Sequence, residues 1–120
     1  TINQSRTRSV YVYFIALDGK LQEFTVTQDR LGGNVYHDTF EALLSGANEE
    51  ILKQGSASYI HPKTKLIGLT VSNRILYLNL SEEYLLSQDK QKAFAQLKAT
   101  AIRSGQIKDM VLLVEGKVIE

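Results

Sequence analysis

The sequence predicts one α+β domain: a mixed or antiparallel sheet with about two main helices packed on one face, in the order β-β-α-β-β-α-β-β. Three observations predict it. Several short segments are rich in β-branched and aromatic residues, and two alternate apolar and polar side chains as half-buried strands do. Two longer windows, 35–45 and 88–104, instead space their apolar residues at helical intervals. The 120 residues contain no repeat, low-complexity run or internal linker, and that length suits a single core.

Residues 1–8 are polar and are expected to be a linker or frayed lead, with the domain proper over 9–120. From Ser9 to Leu17 the chain is almost continuously apolar, through Val10, Tyr11, Val12, Tyr13, Phe14 and Ile15, which predicts a strand apolar on both faces and hence a central one. Asp18-Gly19 supplies a hairpin turn of type I′, and Lys20 to Gln28 returns with Leu21, Phe24 and Val26. A loop over 29–34 precedes a helix from about Val35 to Ser45, with Phe40, Leu43 and Leu44 buried and Gly46 as the stop. Asn48 caps a short second helical turn through Ile51 and Leu52.

Ser56 to Pro62 reads as irregular, and Pro62 forces His61 into an extended conformation. Lys65–Ser72 and Arg74–Leu80 are two strands flanking Asn73; Ile67, Leu69 and Val71 alternate in one, Leu76, Leu78 and Leu80 in the other. Ser81 caps a turn or short helix. Phe94, Leu97 and Ala101 mark the buried stripe of the long helix, closed by Gly105. Met110 to Val114 is again apolar on both faces, and Glu115-Gly116-Lys117 turns into a short last strand.

Composition narrows the function. A formal net charge of +1 gives no basic excess for nucleic acid, so no nucleic-acid partner is expected. The chain has no cysteine, which removes disulfides, thiolate metal sites and thiol nucleophiles together. No stretch approaches the ~18 apolar residues of a membrane span. The chain opens at Thr1 and not at an initiator Met, so it is read as a piece of a longer protein whose signal peptide or anchor would lie upstream.

No catalytic apparatus is legible, and neither a cofactor nor a metal is expected. His37 opens a helix and His61 precedes a proline; neither has a metal-ligand spacing or a signature partner. Glu49-Glu50 and Glu82-Glu83 begin helical turns, where the helix dipole favours acids. Leu31-Gly32-Gly33-Asn34 lacks both phosphate-binding glycine patterns, and no serine lies in G-x-S-x-G. Arg6, Arg8 and Lys20 read as a solvated basic end.

One feature points to a partner. Tyr11 and Tyr13 share one face of the first strand, and Tyr77 sits beside Ile75 on the outward side of its own strand. With two substantial helices, one sheet face can lack cover, and exposed aromatic surface of that kind marks a partner site. The alternative is that these strands are simply packed on both sides.

Four segments in order carry a family resemblance. Phe40 to Glu50 resembles the L-L-x-G-P-x-x-E stretch of the GerMN family, the sporulation and spore germination domain. Gln54 to Leu66 is similar to its G-x-x-S-x-I-P-x-x-T-x-L segment, and Arg74 to Leu85 to G-x-x-x-V-D-L-S-x-x-F. Ile107 to Val118 resembles V-x-x-V-x-F-x-V-D-G-K-x-V, so the likeness runs over about residues 9–119. Ala47 stands where Pro is usual, His61 is inserted before Pro62, and Asn73-Arg74 replaces a common Gly.

The resemblance implies an exported bacterial envelope or spore domain, held by a lipoprotein or single-span anchor and similar to ring-building modules. It carries no catalytic residues. The expectation is therefore a non-enzymatic, extracytoplasmic, membrane-anchored interaction or assembly module. Its partner would be a protein of the cell envelope, itself or peptidoglycan, met through Tyr11, Tyr13 and Tyr77. The rival expectation is a binder, or enzyme, of cell-wall glycan or a small ligand acting through the 56–65 loop with His61 and Lys63.

Overall fold

The computed structural model describes residues 7–30 and 34–119. Most of the expected leading linker, and the Leu31-Gly32-Gly33 part of the glycine loop, lie outside the described residues. Thr7 and Arg8 do not belong to a linker: they open β1 (Thr7–Ala16). Arg8 is not a solvated end either, because its guanidinium Nε stands 3.0 Å from the fully buried carboxylate of Asp38.

β1 pairs antiparallel with β2 (Leu21–Asp29) and, at its far end, with the two-residue β3 (Ser56–Ala57), inside the stretch expected to be irregular. The sheet order β2-β1-β3 makes β1 central, as its apolar run predicts. The hairpin is not type I′. Gly19 N–H donates to Ala16 O and Ala16 N–H to Lys20 O, so the loop is the three residues Leu17-Asp18-Gly19, with only Gly19 at positive φ (85°). A two-residue turn with both centres left-handed falls instead at Asn73-Arg74 (φ 54° and 64°).

That turn joins β4 (Leu66–Ser72) to β5 (Ile75–Leu80). A register shift between Leu66 and Gly68 leaves Ile67 as a bulge, half exposed. β6 (Asp109–Val114) runs parallel to β5, and Glu115-Gly116 turns it into β7 (Lys117–Val118). The strands thus form two sheets and not one: an antiparallel three-stranded sheet and a mixed four-stranded one.

The described residues form three α-helices, α1 (Val35–Leu44), α2 (Glu49–Lys53) and α3 (Lys90–Ile102), capped by Asn34, Asn48 and Asp89. A 3₁₀ turn (Glu82–Leu86) follows β5 and buries Tyr84. α3 packs against both β1 and β6, and two of its side chains occupy part of the second edge of β1. One core results, built from Val10, Val12 and Phe14, from Leu76, Leu78 and Leu80, and from Met110, Leu112 and Val114, closed by Phe40, Leu43 and Leu97 of the helices.

The seam carries an unusual polar device. Gln96, fully buried on α3, donates from Nε2 to Tyr13 O (3.1 Å) and accepts at Oε1 from Tyr59 N–H (2.8 Å). One turn on, Thr100 Oγ1 accepts from Tyr13 N–H (3.3 Å) and donates to Gln96 O (2.7 Å). Two side chains of a helix therefore stand in for the missing neighbour strand and satisfy both backbone groups of Tyr13.

Candidate functional site

Alternation along β1 puts Tyr11 and Tyr13 on the face opposite Val10, Val12 and Phe14. Tyr11 is exposed, and the guanidinium of Arg103, just past α3, lies 3.6 Å from its ring centroid. Arg103 Nε also reaches Glu23 Oε2 at 2.9 Å, and the Tyr13 hydroxyl donates to Glu23 Oε1 at 3.5 Å. Burial, and then the neighbouring Glu23 carboxylate, push the Tyr13 hydroxyl above its ordinary pKa. Tyr11, Tyr13, Glu23 and Arg103 thus form one ordered outer surface.

Tyr77 belongs to the other sheet, so the three tyrosines do not make one patch. In the ladder it stands between Thr70 and Val111, and Asn79 stands beside Leu113, which pairs with Val118. Leu76, Leu78 and Leu80 fill the core, so Ile75, Tyr77, Val111, Leu113 and Val118 share the outward face. Tyr77 is 37% and Val118 66% exposed. This is an apolar sheet face turned to solvent.

The 56–65 loop is held on every side. His61 N–H donates to Ser87 Oγ (3.0 Å), Thr64 N–H to His61 O (3.0 Å), and Lys63 N–H to His61 Nδ1 (3.1 Å). The last bond leaves the His61 proton on Nε2 when the ring is neutral. His61 lines a cleft of 420 Å³ with Tyr59 and Leu86, whereas Lys63 lines one of 660 Å³ with Glu41, Lys65 and Glu83. The two residues flank Pro62 and serve different clefts. Glu83 is held below the usual carboxylate range, first by the Ser81 hydroxyl and its own backbone N–H, and further by His61 and Lys65.

Among the described residues, the hydroxyls nearest His61 are engaged by the backbone. Ser87 Oγ accepts from a backbone N–H, and Ser58 Oγ accepts from Ile60 N–H, so both hydroxyls serve the loop. His37 lies 3.7 Å from Asp38 and from Glu41, and its backbone N–H donates to the cap residue Asn34. Among the described residues, no three His, Asp or Glu side chains gather as metal ligands, and no helix is long and apolar enough to cross a membrane.

A third cavity went unnoticed in the sequence. It encloses 300 Å³ beside residues 9–11 of β1, between the start of α1 and the end of α3. Only a map of strand pairing reveals it, since it exists where a neighbour strand is lacking.

Comparison with known proteins places this architecture. The family model Germane, described as sporulation and spore germination, matches residues 11–120. The structure of the tandem GerMN domains of the sporulation protein GerM from Bacillus subtilis is similar at TM-score 0.76 and 16% identity, over 98% of this chain. This chain spans only 42% of that one. The first GerMN domain of the same protein matches at TM-score 0.73 and 17% identity, covering 93% of this chain and 86% of that one. A candidate lipoprotein from Clostridium perfringens matches at TM-score 0.60 and 22% identity, covering 99% and 83% respectively. A search of curated proteins gave no match.

Proposed function

The chain belongs to the Germane family of sporulation and spore germination domains, and from that premise we propose that it is a non-catalytic interaction module, working outside the cytoplasm on a membrane-anchored protein. The observation that carries this reading is the apolar outward face of the four-stranded sheet, with Tyr77 and Val118 at 37% and 66% exposure. A face of that kind loses hydration when it meets a matching surface, and aromatic residues supply most of such contact energy. Its partner is another envelope protein or a second copy. The likeness to a candidate lipoprotein and to a sporulation protein supports the location.

Sedimentation velocity over a wide concentration range tests it. Concentration-dependent association that weakens in Tyr77→Glu, and persists in Tyr11→Glu and Tyr13→Glu, is expected. A species that stays monomeric, together with no binding of Tyr77-dependent partners from envelope extracts, removes the sheet face from the reading.

A second reading has its own observation. The two clefts on either side of Pro62, lined by His61 and by Lys63 with Lys65 and Glu83, suit a small polar ligand such as a cell-wall fragment. Titration with soluble muropeptides is then expected to raise the melting temperature, and His61→Ala or Lys63→Ala to abolish the rise. An unchanged melting temperature at saturating muropeptide discards this reading.

A further inference from the structure

β1 has one fully paired edge and one that is only partly occupied. On the second edge, Ile15 pairs with Ala57 of β3, and both backbone groups of Tyr13 are taken by Gln96 and Thr100. Backbone direction alternates along an antiparallel strand, so Ser9 and Tyr11 present their N–H and C=O to that same edge. There the 300 Å³ groove begins, walled by Val35, Tyr36 and Thr39 from α1 and by Thr100, Arg103 and Gln106 from α3 and its exit. The Tyr36 hydroxyl donates to Gln106 Oε1 at 3.3 Å and ties the two walls together.

We propose that this groove receives an extended peptide that continues the ladder begun by β3, with apolar side chains turned inward and an acidic one turned outward towards Arg103. Each part of the statement has a cause. Two pairs of strand groups, spaced two residues apart and with no partner strand among the described residues, are matched by another extended backbone. Inward side chains of such a strand meet Val35 and the core face of β1. Among the described residues, Arg103 is the one charged side chain lining the groove. Its Nε is engaged by Glu23, while a guanidinium carries further donors at its terminal nitrogens. A second copy of the folded domain does not suit the site, because α1 and α3 recess the edge between them. The inference rests on the interaction-module reading for its class of function only; it does not use the face around Tyr77.

The test uses the ¹⁵N-labelled domain and two blocked pentapeptides, acetyl-Val-Asp-Val-Asp-Val-amide and its lysine counterpart. In the free protein the Ser9 and Tyr11 amides are expected to exchange at least about tenfold faster than those of Val10 and Val12, which face β2. The aspartate peptide at millimolar concentration should slow both and shift the Tyr36 resonances, and should bind at least about tenfold more tightly than the lysine peptide. Ser9→Pro removes an N–H that the β1–β2 ladder does not use, so the domain stays folded while peptide affinity falls about tenfold, as for one lost main-chain hydrogen bond. Sedimentation of the same samples separates this result from the Tyr77 face. Ser9 and Tyr11 amides already as protected as Val10, equal affinity for the two peptides, no response to either, or undiminished binding by Ser9→Pro would each overturn the proposal.

Discussion

Replacing Gln96 with leucine is expected to lower the unfolding free energy by about 2–5 kcal/mol. Leucine is close to glutamine in volume, so packing around the buried position is kept and the loss is polar. Three groups lose a partner: Tyr13 O, Tyr59 N–H and the Ser58 hydroxyl. Each buried backbone group left without a hydrogen bond costs roughly 1–3 kcal/mol. Thr100→Val removes only the longer 3.3 Å bond to Tyr13 N–H and a bond within α3, so about 1 kcal/mol is expected there. Urea unfolding of the two variants measures both. A Gln96→Leu cost below about 1 kcal/mol would mean that water enters the seam, and that the helix does not substitute for a strand. The same residue has a functional consequence: with Tyr13 O released, the open edge of β1 gains one acceptor, while Tyr13 N–H stays with Thr100.

Gln96 also marks the limit of what the sequence discloses. The strands are legible because side-chain alternation is local: Leu76, Leu78 and Leu80 declare their face by spacing alone, and all three are fully buried. Tyr77 and Ile75 are legible as outward for the same reason. The two-sheet arrangement is not, since it depends on β6 choosing β5 as a parallel neighbour and on α3 filling the edge of β1. Periodicity carries no information about either choice. Within α3, Phe94, Leu97 and Ala101 stand out as an apolar stripe, whereas the polar Gln96 and Thr100, which that stripe does not include, are buried as well. Asp18-Gly19 shows the same limit at a turn: the dipeptide fits a two-residue loop, and the pairing of Ala16 with Lys20 makes it three.

The candidate surfaces divide along the same line. An aromatic pair at alternate positions of β1 is visible in the sequence; the Arg103 guanidinium over Tyr11, 92 positions away by subtraction of their numbers, is not. His61 and Lys63 are neighbours in sequence, but the turn around Pro62 sends them to separate clefts. The groove at Ser9–Tyr11 is least legible of all, because its chemistry is that of backbone groups without a neighbour.

Arg8→Ala is expected to cost about 3 kcal/mol, even though the sequence places this arginine in a polar lead. Its partner Asp38 sits in the first turn of α1 with no solvent exposure, whereas the Arg8 side chain is 25% exposed. Removing the cation leaves a carboxylate in the interior with less compensation, and breaking a buried pair in that way costs about 3–5 kcal/mol. The partial exposure of Arg8 lets water share in the compensation, which sets the lower end of the range. The double replacement Arg8→Met with Asp38→Leu should recover most of the loss, because removing both charges together leaves no uncompensated ion. A double-mutant cycle in urea reads the coupling directly. A cost for Arg8→Ala within about 0.5 kcal/mol of zero would return Arg8 to the solvated end that its neighbours suggest. The predicted loss has a structural meaning for the groove as well: the ion pair fastens the first residues of β1 to α1, and the open edge at Ser9 keeps its shape only while that fastening holds.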